Sequence, residues 1–106
     1  GEIKPQDMTL ALAKILRDAG PWGQQFPTPS FNGVFKVLDQ RVLTNKHLKF
    51  VLSASGSHNP VDAILFFAHQ QQLKTNYQSL QIHYELSVNT FRGQESLQLM
   101  ILNVLA

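Results

Sequence analysis

Residues 81–88 alternate without a break: Ile82, Tyr84, Leu86 and Val88 fall on one side, Gln81, His83, Glu85 and Ser87 on the other. Successive side chains of an extended strand point to opposite faces, so a period of two marks a strand with one buried face and one wet face. Residues 47–53 repeat the pattern, with Leu48, Phe50 and Leu52 inward and His47, Lys49 and Val51 outward. Two such strands cannot cover their own apolar faces, so the rest of the chain must close a sheet around them.

Three further segments supply strands. Residues 34–43 read as the first, long enough to need a bend near Asp39 and Gln40. Residues 61–68 read as the third, after the turn formers Ser55-Gly56-Ser57-His58-Asn59-Pro60. Phe66 and Phe67 are adjacent there, so extended backbone sends one ring inward and the other outward. Residues 95–105 form the last strand, with Leu97, Leu99 and Ile101 on one face and Met100, Leu102 and Val104 on the other; both faces want cover. Residues 69–79, between the third and fourth strands, are polar and glutamine-rich, a short helix at most. This mainly β order matches the five-stranded Greek-key barrel called the OB-fold, although other small barrels fit the pattern nearly as well.

A different period precedes the strands. Met8, Leu12, Ile15, Leu16 and Ala19 fall at three- and four-residue steps, one stripe of an amphipathic helix over residues 8–19. Asp7 or Thr9 caps its start, and Gly20 followed by Pro21 closes it. So short a helix must dock on something. Residues 20–30 contain two Gly and three Pro, a connector that cannot hold long regular structure. Trp22 and Phe26 within it are costly to leave in water and are expected to pin it to the barrel or to a neighbour. The expected division is a tail of a preceding domain plus connector over 1–30, and the barrel over 31–106. The opening at Gly1, with no initiator Met, accords with a piece of a longer protein.

Composition narrows the function classes. A chain of 106 residues is the size of one domain with one core. At 43% apolar and 15% charged it resembles globular proteins rather than disordered ones. No apolar run approaches the roughly 18 residues of a membrane span and no leader opens the chain, so no membrane partner is expected and the reading is cytoplasmic. With no cysteine there is neither a disulfide nor a thiolate metal site. The net charge is +2, and the whole surplus lies after Phe31, where six basic residues face four acidic ones, a mild preference for polyanions.

Catalytic chemistry finds no support. His47, His58, His69 and His83 stand 11, 11 and 14 residues apart, which matches no local metal-ligand spacing. The carboxylates are scattered, and there is no nucleophile elbow, phosphate-cradling loop or dinucleotide fingerprint. No catalytic residue, metal ligand or cofactor is therefore assigned to this segment.

Binding chemistry is better served. OB-folds commonly bind oligonucleotides across their second and third strands, between the loops that join strands one to two and four to five. The first loop, Thr44-Asn45-Lys46, lies beside Arg41 and runs into His47 and Lys49. The second, Asn89-Thr90-Phe91-Arg92-Gly93-Gln94, offers a ring and a cation at a tip, with Gly93 supplying a positive φ. Single strands need cations along their phosphates and rings under their bases. Arg41, Lys46, His47, Lys49, Phe91 and Arg92 are thus the candidate nucleic-acid contacts, with Trp22 and Phe66 as candidate stacking rings or packing anchors. The plainer alternative is that Phe91 folds over a barrel end and the cations are merely solvated.

The motifs carry a resemblance. Gly20-Pro21-Trp22-Gly23-Gln24, with Phe26-Pro27, Pro29 and Phe31, is similar to the segment that joins the DHH-associated domain to the OB domain in RecJ nucleases. Lys46-His47-Leu48-Lys49, Asp62-Ala63-Ile64 with Phe66, and Asn89-Thr90-Phe91-Arg92-Gly93 with Ser96-Leu97-Gln98-Leu99 resemble that family's strand motifs in the same order. Gln25, Thr28, Phe67, Ser87 and Thr90 depart from its usual residues, at positions that bear on the details of binding. The resemblance implies the OB segment of a bacterial exonuclease that degrades single-stranded DNA from the 5′ end in recombination and repair. It implies catalysis in upstream DHH domains that need Mg or Mn, with this segment closing a ring around the strand. Implied partners are single-stranded DNA, those upstream domains and a single-strand-binding protein. An interaction scaffold, bracing the catalytic domains or docking a partner, is the alternative role.

Overall fold

The computed structural model describes residues 1–19, 28–54 and 59–106. Trp22, Phe26, His58 and most of the connector lie outside these residues, as does Gly20. Five strands account for most of the rest: β1 (Phe31–Leu43), β2 (His47–Ala54), β3 (Pro60–Leu65), β4 (Ser79–Phe91) and β5 (Gln94–Val104). They close into a barrel in the order β1-β2-β3-β5-β4, with β4 returning to β1. All neighbours are antiparallel except β3 and β5, which run parallel. A parallel pair cannot be joined by a hairpin, and here the chain crosses through α2 (Gln70–Leu73) and β4 before β5 arrives. This is the OB-fold.

The barrel closes because β1 serves two partners. Its first half, Phe31 to Lys36, pairs with β4, and its second half, from Phe35 to Leu43, pairs with β2. The register slips between Val37 and Asp39, so the expected bend is a bulge at Leu38, one residue earlier than the sequence suggests. Close approach requires Gly33 at the start of the strand: a Cβ there would stand 2.9 Å from the Phe35 ring and 3.4 Å from the Tyr84 ring.

The alternation is realised residue by residue. Leu48, Phe50, Leu52, Ile82, Tyr84, Leu86, Leu99 and Ile101 all point into a continuous core with Phe35, Ala63, Leu65 and Leu80. Each such side chain contributes roughly 1.5–3 kcal/mol by leaving water. Tyr84 is the largest fully buried one, edge-on to Phe35 at 5.6 Å. Burial, reinforced by the Glu2 charge, pushes its phenol up to about 12.

A helix seals one end. Thr9 caps α1 (Leu10–Asp18) by accepting a hydrogen bond from the Leu12 N–H at 3.1 Å. Its buried stripe differs from the expected one: Ala13 is buried, with Leu12 and Leu16 partly so, while Ile15 is 63% exposed and Ala19 is exposed. A small side chain at the closest point lets the helix axis approach β4, which rotates Ile15 into solvent. Lys14 and Arg17 then reach Glu95 on β5, at 3.0 and 3.3 Å. Their hydrogen bonds hold the Glu95 carboxyl below the usual carboxylate range. At the other end, Gln40 ties β1 to the segment after α2, donating to the Thr75 carbonyl at 2.6 Å and accepting from the Tyr77 N–H at 3.0 Å.

Candidate nucleic-acid interface

The barrel has an outer face whose rows can be followed across the registers. Arg41 on β1 lies opposite Lys49 on β2, Lys49 opposite Ile64 on β3, and Ile64 opposite Met100 on β5. The neighbouring row runs Asp39, Val51, Asp62 and Gln98. Two cations directly opposite each other repel, a destabilising arrangement in a sheet. Asp39 relieves Arg41, accepting from its Nε at 3.1 Å, and both side chains remain largely in solvent. No ion pair joins Lys46, Lys49 or Arg92 to a carboxylate among the described residues. The face is thus mixed in charge, with Asp62 close to the cations, rather than uniformly basic.

The two hairpin tips stand at opposite ends of this face. Ser53 pairs with Pro60 and Asp62 with Gln98, so the start of β5 and the β4–β5 tip lie toward the start of β3. Leu48 pairs with Leu65 and Leu43 with His47, so the β1–β2 tip lies beyond the end of β3. The surface of β2 and β3 spans the distance between them.

The β4–β5 tip is tighter than the expected six-residue loop. The strands run to Phe91 and resume at Gln94, leaving Arg92 and Gly93 as the turn. Both have positive φ, +53° and +76°, the pattern of the two-residue turn whose twist suits a hairpin. Gly93 is at ease there, and Arg92 is not. The Arg92 guanidinium lies 5.0 Å from the centroid of the Phe91 ring, which is 64% exposed. Phe91 therefore does not fold back over the barrel end.

The β1–β2 tip is braced from elsewhere. Thr44 and Asn45 have φ of +50° and +57°, and the Lys46 N–H closes the turn onto the Leu43 carbonyl at 3.0 Å. A β-branched residue at positive φ is strained by about 1–3 kcal/mol, a cost seen most often at functional sites. The Lys46 carbonyl accepts from the Ala68 N–H at 2.8 Å, and His47 Nδ1 accepts from the Phe67 N–H at 2.9 Å. These bonds turn the chain out of β3 after Leu65. The expectation of one inward and one outward phenylalanine is therefore wrong: Phe66 is 49% exposed and Phe67 74%, with Phe67 at φ +53°. Extended backbone would have buried one ring, but the strand stops before both. Both meet the His47 imidazole edge-on, with centroids at 5.2 and 4.8 Å and planes nearly perpendicular to it.

The structure thus gathers Lys46, His47 and Phe66 at one end of the face, sets Arg41 and Lys49 opposite each other on it, and leaves Phe91 and Arg92 at the far end. Trp22 lies outside the described residues. Phe67 is the residue that sequence reasoning missed, since no pattern signals a positive φ at a phenylalanine. Among the described residues no group of three or more His, Asp or Glu side chains is placed to hold a metal ion. No helix there is long and apolar enough to cross a membrane.

The RecJ OB-domain family model matches residues 1–103. The chain belongs to that family. As a RecJ OB domain, it is 41% identical over 105 residues to the single-stranded-DNA-specific exonuclease RecJ of Escherichia coli strain K12. It is 36% identical over 104 residues to the enzyme of the same name from Haemophilus influenzae. These alignments cover 98% and 95% of this chain but 18% of each relative, so the chain spans about a fifth of their length. Its fold matches Thermus thermophilus RecJ solved with Mg2+, with a TM-score of 0.72 at 17% identity, over 96% of this chain and 15% of that one. RecJ from the same organism solved with Mn2+ matches with a TM-score of 0.70 at 19% identity, over 99% of this chain and 15% of that one. The leading segment is bound to the barrel: Glu2 forms a β-bridge with Asn32, and α1 packs on β4 and β5.

Proposed function

We propose that this chain is the strand-gripping barrel of a single-strand-specific 5′→3′ exonuclease acting in DNA recombination and repair. The observation that carries the reading is the unrelieved Lys49 opposite Arg41, on a face framed at both ends by an exposed ring beside a cation. A phosphate between Lys49 and Arg41 converts their repulsion into two attractions, and bases leaving the face meet Phe91 at one end and the β1–β2 tip at the other. Asp39 and Asp62 moderate the grip, which suits a strand that must slide rather than be held. In this reading Arg41, Lys46 and Lys49 follow phosphates, Arg92 and Phe91 meet the strand at the far tip, and His47 and Phe66 line the near one.

Hydrolysis belongs to upstream DHH-type domains that hold Mg or Mn, and the present segment supplies no catalytic residue. Residues 1–30 serve as the tail of the preceding domain and its connector, and 31–106 as the barrel proper. The setting is the bacterial cytoplasm, with single-stranded DNA, the upstream domains and a single-strand-binding protein as partners.

The test is fluorescence anisotropy with labelled oligodeoxynucleotides at rising salt. Three phosphate contacts give a log-log slope near about −2, from roughly −0.7 per contact on single strands. Absence of salt-dependent binding would sink the reading. A second role, bracing neighbouring domains, is favoured by the exposed Val42, Leu102 and Leu105. It predicts that Lys49→Ala with Arg92→Ala leaves DNA degradation by the intact nuclease unchanged.

A further inference from the structure

We infer that Phe66 and Phe67, set around His47, form a stacking subsite for unpaired DNA bases at the β1–β2 end of the face, with His47 as the positioning residue. The inference rests on the proposed DNA-binding role and adds to it a second aromatic site, remote from Phe91.

Three observations converge on it. First, Phe67 is the most exposed large apolar side chain among the described residues, at 74%, and a phenyl ring so exposed presents at least one whole face to solvent. Second, that exposure is built rather than incidental. The Phe67 backbone sits at φ +53°, a conformation that bulky residues avoid, and is held by the Phe67 N–H donating to His47 Nδ1 and by the next N–H, of Ala68, donating to the Lys46 carbonyl. Two hydrogen bonds to acceptors of the β1–β2 tip thus hold the chain where both rings clear the barrel, and each ring meets the imidazole edge-on, with centroids at 5.2 and 4.8 Å. The Phe67 N–H bond also tethers the His47 ring through its Nδ1. Third, the charge beside the rings selects the occupant. Lys46 is exposed at the same tip, Lys49 follows one row along β2, and no carboxylate forms an ion pair with either among the described residues. Rings next to unpaired cations suit a polyanion with flat bases. A purely apolar partner would leave those lysines to be desolvated at a loss.

The experiment uses this chain with a fluorescein-labelled oligodeoxythymidylate cut to the shortest length that binds fully, so that a single register is available, and a set of otherwise identical strands carrying one abasic position each. Phe67→Ala and Phe66→Ala are each expected to weaken binding about fivefold or more, and the double variant further, because each lost stack removes a base contact. The salt slope stays as in the wild type, since no phosphate contact is lost. The wild type is penalised by an abasic site at one particular position, and the double variant is indifferent to it. His47→Ala is expected to lose the same abasic sensitivity while retaining the slope, a combination that mere loosening of the barrel would not produce. Circular dichroism and melting of the variants guard against misfolding, and the exposure of both rings makes intact folding the expectation.

The inference is overturned if the ring variants bind like the wild type while Lys49→Ala and Arg92→Ala lose affinity. The DNA-binding role then stands without this subsite, and the rings cover another protein surface. If the wild type itself shows no salt-dependent binding, the underlying role fails and the subsite with it.

Discussion

The two hairpin tips solve one problem with different means. The β4–β5 tip is local: Phe91, Arg92 and Gly93 are consecutive, and the guanidinium rests near the ring beside it. The β1–β2 tip is assembled from two distant segments, with residues 66–68 returning to bond with Lys46 and His47. Both use positive φ, but only the first relies on glycine for part of it. A local tip can move as a unit on its hairpin, whereas an assembled tip is only as rigid as the core that brings its pieces together. The end caps differ in the same way, with charged groups on α1 and Glu95 near the β4–β5 hairpin and the buried Phe50 ring against the half-buried Tyr77 ring toward the other end.

The largest expected effect breaks the assembled end. Phe50 is fully buried and meets Tyr77 at 6.0 Å, so Phe50→Ala is expected to cost about 3–5 kcal/mol in chemical denaturation. In a protein that still folds, it should loosen the His47–Phe67 bond before it affects the Phe91–Arg92 tip, an order that amide exchange can read.

Alkaline pH tests the core that both ends share. The Tyr84 phenol is raised in the folded state, so the fold favours its neutral form. Its contribution is complete below pH 10 and drains away as pH rises through 10 toward 12, by about 2–3 kcal/mol in all from roughly 1.4 per unit. Stability measured against pH should fall in that window, and Tyr84→Phe should flatten the fall. A fall of equal size in the variant would remove Tyr84 as its cause.

A smaller effect compares the tips as phosphate contacts. Lys46→Ala and Arg92→Ala should each make the salt slope of oligonucleotide binding shallower by about 0.7. If only one does, that tip alone carries a phosphate and the comparison sharpens in its favour.

The smallest effect concerns the charged cap. Glu95→Gln removes the partner of Lys14 and Arg17, and exposed pairs of this kind contribute little. Because hydrogen bonds from Lys14 and Arg17 lower the Glu95 pKa, the stabilisation is present at neutral pH and is lost as pH falls through the folded value. Melting temperature against pH should show a slight acid dependence that the Gln variant lacks, with the β1–β2 tip unaffected.

Much of the barrel was legible beforehand. Strict alternation in residues 81–88 specified which side chains of β4 enter the core, because a strand leaves no freedom in that choice once one face is buried. The turn at Thr44-Asn45-Lys46, the positive φ of Gly93, a cap at Thr9 as one of two candidates, and a bend in β1 to within a residue or two were also readable, because each shows in a few consecutive residues. The site was legible only in part. Lys49 could be assigned to the outer face, but not set opposite Arg41 or near Asp62, since cross-strand register depends on the bulge at Leu38.

How α1 seats and where β3 stops escaped the sequence. Ile15 lies on the apolar stripe of α1, yet the helix seats on Ala13, because the depth of its approach is set by β4 and not by its own periodicity. Phe66 and Phe67 read as strand until hydrogen bonds donated by the Phe67 and Ala68 N–H groups to His47 and Lys46, some 20 residues earlier in the chain, turn them out of it. Sequence alone thus determined the alternation, the start of the helix and the membership of a barrel, all consequences of short-range sterics and one-sided burial. Tertiary structure alone decided which rings stand in water and which cations face each other, because those depend on where strands from distant parts of the chain meet.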